Sequence, residues 1–142
     1  MDTEILSPSA LDSARFGLEV VRGQQTEVDS KTIAKAIFQS NCDLAIIRIP
    51  SAAGGIHGIS RWSLPLIHAD TLVYYKCDLR NYTPATLRNT ALVFRKAVPG
   101  DLDALRALIA ETFRTYKSHY HANPLLEHTH ILSGYQQWAE GH

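Results

Sequence analysis

The chain has 142 residues, 45% of them apolar, and its 14 Lys and Arg are matched by 14 Asp and Glu. That suits one domain or two small lobes with a core, and it excludes a net charge field that would gather nucleic acid or an anionic membrane surface. No apolar run approaches the roughly 20 residues of a membrane-spanning helix, and MDTEILSPSA lacks the basic region and long apolar stretch of a secretory leader. Cys42 and Cys77 sit in apolar stretches outside any CxxC pair. This predicts buried free thiols in a reducing compartment, the cytoplasm.

In chain order, GLEVVRG (17–23) alternates weakly between glycines and predicts a short strand over 17–22. A helix over 29–39 follows, with Asp29 as N-cap, Val28 placed to staple against Ile33, and Ile33, Ile37 and Phe38 as its apolar face. CDLAIIRIP (42–50) is β-branched, almost wholly apolar and closed by Pro50, the pattern of a strand buried on both sides. Arg48 is the exception there, and near a strand end it is expected to snorkel or pair rather than to catalyse. AAGGIHGISRW (52–62) is compatible with a short helix, Pro65 breaks it, and 64–69 reads as extended. DTLVYYKCDL (70–79) alternates, with Val73, Tyr75, Cys77 and Leu79 on one face, and predicts a strand with one wet side. The three strands are expected to form one sheet with the helix packed on it. RNYTPATLRNT is polar, carries Pro84 and has no period, so it reads as a linker.

ALVFRKAV (91–98) then predicts a strand, and 101–113 a helix capped by Asp101 with Leu102, Leu105, Leu108, Ile109 and Phe113 along one side. A second helix is expected over about 125–139, with Ile131, Leu132, Tyr135, Trp138 and Ala139 on its apolar face and Gly141 as its stop. One strand and two amphipathic helices close no core. Their apolar faces are expected to be covered by the first lobe, by another copy of the chain, or by a further domain.

The order strand, Pro-Gly-Asp turn, helix, loop, helix, written FRKAVPGDLDALRALIAETF and then YHANP…GYQQWA, resembles the start of the GCN5-related N-acetyltransferase (GNAT) family. The upstream DSARFGLEVVR (12–22) and HADTLVYYKCDL resemble the N-terminal lobe of the bacterial enzymes that acetylate amino-sugar nucleotides, the TDP-fucosamine acetyltransferase type. The resemblance implies an α/β (α+β) fold, a mixed sheet with flanking helices. It divides the chain into an N-terminal lobe over 1–80, a linker over 81–90, and the first strand and two helices of an incomplete acetyltransferase domain over 91–142. Such enzymes hold acyl-CoA pyrophosphate on an Arg/Gln-x-x-Gly-x-Gly/Ala loop at a helix N-terminus, where backbone N–H groups meet the phosphates. No such loop follows residue 98, and AAGGIHG (52–58) lacks its leading residue. The expectation is therefore an acceptor-side portion with no cofactor bound by this chain. Acetyl-CoA is implied only for a complete enzyme, and the isolated chain is expected neither to bind it nor to transfer acetyl groups. The expected partners are a small-molecule amine and either the missing C-terminal half or another copy of the chain.

Candidate site residues follow from the segment between the last two helices, which flanks the acceptor pocket in the enzymes resembled. Tyr116, His119, Tyr120, His121 and Asn123 offer donors, acceptors and sugar-stacking faces, and Tyr135 and Trp138 lie three apart on the following helix, where core packing competes with ligand contact. The His-x-His pairs at 119/121 and 128/130 suit imidazole ligation of Zn²⁺. His128 and His130 would point to different sides of a helix, however, and no Cys or carboxylate completes a tetrahedral set, so no metal is expected. No nucleophile elbow is visible. Glu111 and His119 are general bases by residue type alone, and neither is assigned. Against the enzyme reading stands a non-catalytic folding or interaction module built on the same scaffold.

Overall fold

The computed structural model describes residues 5–27, 29–52, 54–83 and 89–141, with the side chains of 54–57 outside that description. It is a mixed α/β fold with a small three-stranded mixed sheet and four α-helices. Strand β1 (Ser7–Pro8) runs antiparallel to β2 (Val20–Gln24), which runs parallel to β3 (Leu44–Arg48).

Helix α1 (Ala10–Phe16) joins β1 to β2. It ends at Gly17, whose φ of 66° lies in the left-handed region that favours glycine and lets its N–H reach the Ser13 carbonyl at 2.9 Å. The expected strand over 17–22 thus starts three residues late, because Gly17 closes a helix rather than opening a strand. Val20 and Val21 are both buried.

Helix α2 (Ser30–Ser40) makes the crossover to β3. Asp29 caps it as expected, accepting from the Lys31 N–H at 3.1 Å and from the Thr32 hydroxyl. The expected Val28 staple lies outside the described residues. Ile33 and Ala34 are buried, Ile37 is half-buried and Phe38 is exposed. Phe38 is 100° round the helix from Ile37 and misses the covered stripe. Helix α2 packs against a 3₁₀ helix, Gly54–Trp62, in which Ile59 is buried. The expected turn of helix at 52–62 is therefore present in its tighter form.

β3 is half-buried rather than buried on both sides, because β2 is its one ladder partner among the described residues. The expected strands over 70–79 and 91–98 are absent too. Residues 71–78 and 92–98 join no ladder, and both faces of the first are open, Tyr75 being 93% exposed beside an exposed Tyr74. Alternation prepares a strand, but a partner's hydrogen bonds make one. The first segment ends in a 3₁₀ turn, Leu79–Asn81, where Asp78 accepts from the Arg80 N–H at 3.1 Å. The thiols are less hidden than expected: Cys42 is half-buried and Cys77 exposed.

Helices α3 (Leu102–Phe113) and α4 (His128–Glu140) pack against each other. Ile109 and Ile131 are buried, and Phe113 stacks on Tyr135 at 4.2 Å. Leu102, Leu108 and Trp138 are exposed. Asp101 does not cap α3 with its side chain. Its carboxylate instead accepts from the Val98 N–H at 2.9 Å and from both Arg95 Nη atoms at 2.6 and 2.8 Å. The Arg95 hydrogen bonds, then that of Val98, hold its pKa down at about 2. Helix α4 starts later than expected because Asn123 turns the chain, its side chain accepting from the Leu125 N–H and its carbonyl from the Leu126 N–H. Gly141 ends α4 with a right-handed φ of −82°, so the stop uses no left-handed cap. Helix α1 touches α4, which gives the second helical pair part of its cover. Among the described residues no helix is long and apolar enough to cross a membrane.

Candidate functional site

The site grows from one buried carboxylate. Ser9 and Asp12, in SALD, have the spacing of a capping box, in which the acidic residue would reach back to the Ser9 N–H. Here that N–H donates to the Val20 carbonyl at 2.8 Å, which ties the start of α1 to β2. Asp12 is left to turn inward. It is 2% exposed, and it accepts from Ser9 Oγ at 2.6 Å, from Arg22 Nε at 2.5 Å and from Tyr120 Oη at 3.0 Å. Arg22 Nη2 in turn donates to Tyr120 Oη at 2.5 Å. Three parts of the chain, α1, β2 and the 3₁₀ turn His119–Ala122, are thereby tied at one point.

The charges follow from this geometry. Burial pushes the Asp12 carboxyl up, but hydrogen bonds from Ser9, Arg22 and Tyr120 and the Arg22 charge more than reverse it, so its pKa lies below the usual value. Burial works against the Arg22 charge, but Asp12 and Tyr120 together outweigh it, so its pKa is shifted up. The Tyr120 phenol is raised, first by burial and then by Asp12, with Arg22 opposing.

The parallel register sets Arg22 opposite Ile46 and Gln24 opposite Arg48. With a side-chain period of two, all four share one face of the sheet. With Gly23 they line a cavity of about 250 Å³. His119 stands beside Tyr120, ring centroids 4.1 Å apart, with its Nδ1 3.6 Å from Asp70 Oδ2. Burial lowers the His119 pKa, Asp70 opposes this, and the charges of Arg22 and Arg48 lower it further.

Of the residues proposed from sequence, His119 and Tyr120 belong to this constellation. Tyr116 and Tyr135 form a separate ring cluster with Phe113, with Tyr116 5.3 Å from Phe113 and 6.0 Å from Tyr135. His121 Nδ1 accepts from the Ser118 N–H at 3.0 Å, and its ring lies 4.8 Å from that of His128. Burial, then the charges of His128 and Lys117, lower its pKa. Asn123 is held in its turn, Trp138 is exposed on α4, and Glu111 is exposed and paired with Arg114 at 3.1 Å. Among the described residues no group of three or more His, Cys, Asp or Glu is placed to hold a metal ion.

Sequence reasoning passed over Asp12, Arg22 and Gln24 and took Arg48 as structural. Two signals were available: the serine–acid spacing of SALD, and the polar residues Arg22 and Gln24 alternating after Val20 on a strand. No protein-family model, no curated protein and no solved structure matches the chain.

Proposed function

We propose that the chain is the acceptor-side portion of a GNAT-like N-acyltransferase, its lobe binding an amino-sugar nucleotide or similar small amine, with acyl-CoA held by a half supplied from elsewhere. The setting proposed is the cytoplasm, where the free thiols Cys42 and Cys77 persist. One observation carries the reading: two arginines, Arg22 and Arg48, share a cavity on a sheet face, and the charges of both reach His119 and lower its pKa. Guanidinium groups match phosphate geometry bidentately. The Tyr120 ring lies 5.9 Å from the Arg22 guanidinium carbon, and Gln24 offers an amide for sugar hydroxyls.

In this reading Arg48 and the remaining Arg22 N–H groups bind the diphosphate. In the same reading the His119 imidazole, with Asp70 3.6 Å from its Nδ1, takes the proton that the acceptor ammonium loses. With acyl-CoA supplied by the other half, the freed amine would attack the thioester carbonyl, the C–S bond would break, and the second proton shed by the nitrogen would pass to the leaving thiolate.

Calorimetric titration of the full chain with a nucleoside-diphosphate amino sugar tests this. Saturable binding is expected, weakened about ten- to hundredfold in Arg48→Gln by loss of a charge-assisted hydrogen bond. Acetyl-CoA is expected to give no saturable heat. Absence of sugar-nucleotide binding, or unchanged affinity in the variant, would overturn the reading. It would favour instead a non-catalytic interaction module, for which the exposed Tyr74, Tyr75, Val93 and Phe94 on unpaired segments speak.

A further inference from the structure

A second constellation lies between α1 and α4, apart from the sheet-face cavity. Arg15, one turn after Asp12, is carried under α4, and its side chain is 11% exposed. Arg22 Nε has taken Asp12 Oδ2 and the Tyr120 hydroxyl Oδ1, and Arg15 Nη1 is left 3.9 Å from Asp12 Oδ1, too far for a hydrogen bond. Among the described residues its Nε is buried with no hydrogen-bond partner. A guanidinium carries five N–H donors and cannot shed its charge. A buried one held by a single long ion pair is underserved.

The fold makes room for this group. A Cβ built on Gly134 of α4 would stand 2.5 Å from Arg15 Cζ, 2.6 Å from Nε and 2.8 Å from Nη1. Any other residue there would have to displace the guanidinium, so glycine is what lets it lie against the helix. Arg15 then opens on a cavity of about 250 Å³ with Leu11 and Ala14 on one wall and His130, Ser133 and Gln137 on the other. Ser133 already donates to the His130 carbonyl at 3.0 Å, while the Gln137 amide brings two N–H donors to the rim. Arg15 and the Gln137 amide bring donors to the lining, and among the described residues no carboxylate is part of it.

We propose that this cavity is a binding site for a small oxyanion, a carboxylate or phosphate group on a ligand short enough for its apolar part to rest on Leu11 and Ala14. Arg15 is the primary contact, through N–H groups that Asp12 does not satisfy, and Gln137 closes the rim. The volume has room for one such group with a short tail. This site is independent of the sheet-face reading, since Arg22 and Arg48 do not line it.

Side-chain NMR of the full chain tests it, following the Arg15 Nε–H and Gln137 NH₂ signals. Inorganic phosphate and acetate are titrated separately at ionic strength held constant with sodium chloride. Saturable shifts of both signals at millimolar anion are expected, and the tighter anion identifies the class of ligand. Arg15→Gln should abolish the response. Because Arg15 is packed under α4, the exposed rim variant Gln137→Glu guards against a failure to fold. It places a carboxylate at the mouth and should weaken binding tenfold or more. Shifts that never saturate with either anion, or affinity unchanged in Gln137→Glu, would overturn the proposal.

Discussion

Replacing Asp12 by Asn keeps the shape of the side chain and removes the charge that three donors converge on. Asn retains one acceptor oxygen, so at least one of the bonds from Ser9, Arg22 and Tyr120 is lost, and its NH₂ competes with Arg22 for the same space. A charge-assisted bond contributes about 1.5–3 kcal/mol net. Breaking a fully buried ion pair costs about 3–5 kcal/mol, but Arg22 is 36% exposed and water can take up part of its demand. The expected loss is therefore about 2–3 kcal/mol, large against the roughly 7–15 kcal/mol of a domain this size. Urea unfolding at pH 7 should show a lower midpoint with an unchanged slope. The pH dependence carries a second signature. Because the folded-state pKa of Asp12 is depressed, its contribution is present above the unfolded value of about 4 and fades as pH falls through the lowered folded value. The gap between the native chain and Asp12→Asn should narrow below about pH 4. A stability loss under about 0.5 kcal/mol, or a gap that stays constant down to pH 2, would refute the idea that this carboxylate organises the site.

Tyr120→Phe keeps the ring against Phe16 and His119 but removes the hydroxyl that donates to Asp12 and accepts from Arg22. It should cost about 1–2 kcal/mol in urea unfolding and raise the Asp12 pKa, so that acid unfolding begins at higher pH. Arg48→Gln removes one of the charges that depress His119. An NMR titration should find the His119 pKa below that of a free imidazole in the native chain and higher in the variant, and equal values in the two would separate Arg48 from His119.

The parts legible in the sequence are those decided within a few residues. Asp29 announces the start of α2, and Leu105, Ile109 and Phe113 mark one side of α3, because capping and helical period are local. Helix α1 was illegible for a related reason. It is seven residues long, about two turns, its Leu11 faces solvent, and its buried residue is Asp12, the reverse of the pattern that periodicity detects. The alternation at 70–79 was real but incomplete as a signal. It describes side chains on two faces, whereas a strand also needs a second backbone at hydrogen-bonding distance, which Val73 and Tyr75 do not have. At Asp101 the residue type was right and its partner was not, since the nearby Arg95 competes for the carboxylate that would have capped α3.

The site itself was half legible because its two ends are far apart in sequence. His119 and Tyr120 stand out as a chemistry-rich segment, but what positions them is 108 residues away, where the Tyr120 hydroxyl meets Asp12. The turn His119–Ala122 is a single 3₁₀ turn, with His121 N–H to the Ser118 carbonyl at 3.0 Å and Asn123 N–H to the Tyr120 carbonyl at 3.3 Å. Such a turn is too short to fix its own place. Its anchor is the Asp12–Arg22–Tyr120 knot, so the same contact holds the turn that carries His119. That coupling extends to Arg22. Its Nε and Nη2 are engaged with Asp12 and Tyr120, which fixes the plane of the guanidinium and leaves Nη1 for the proposed ligand, with Arg48 across the cavity. Asp12 is thus a positioning residue twice over, and its loss should disturb His119 and Arg22 together although it touches no ligand itself.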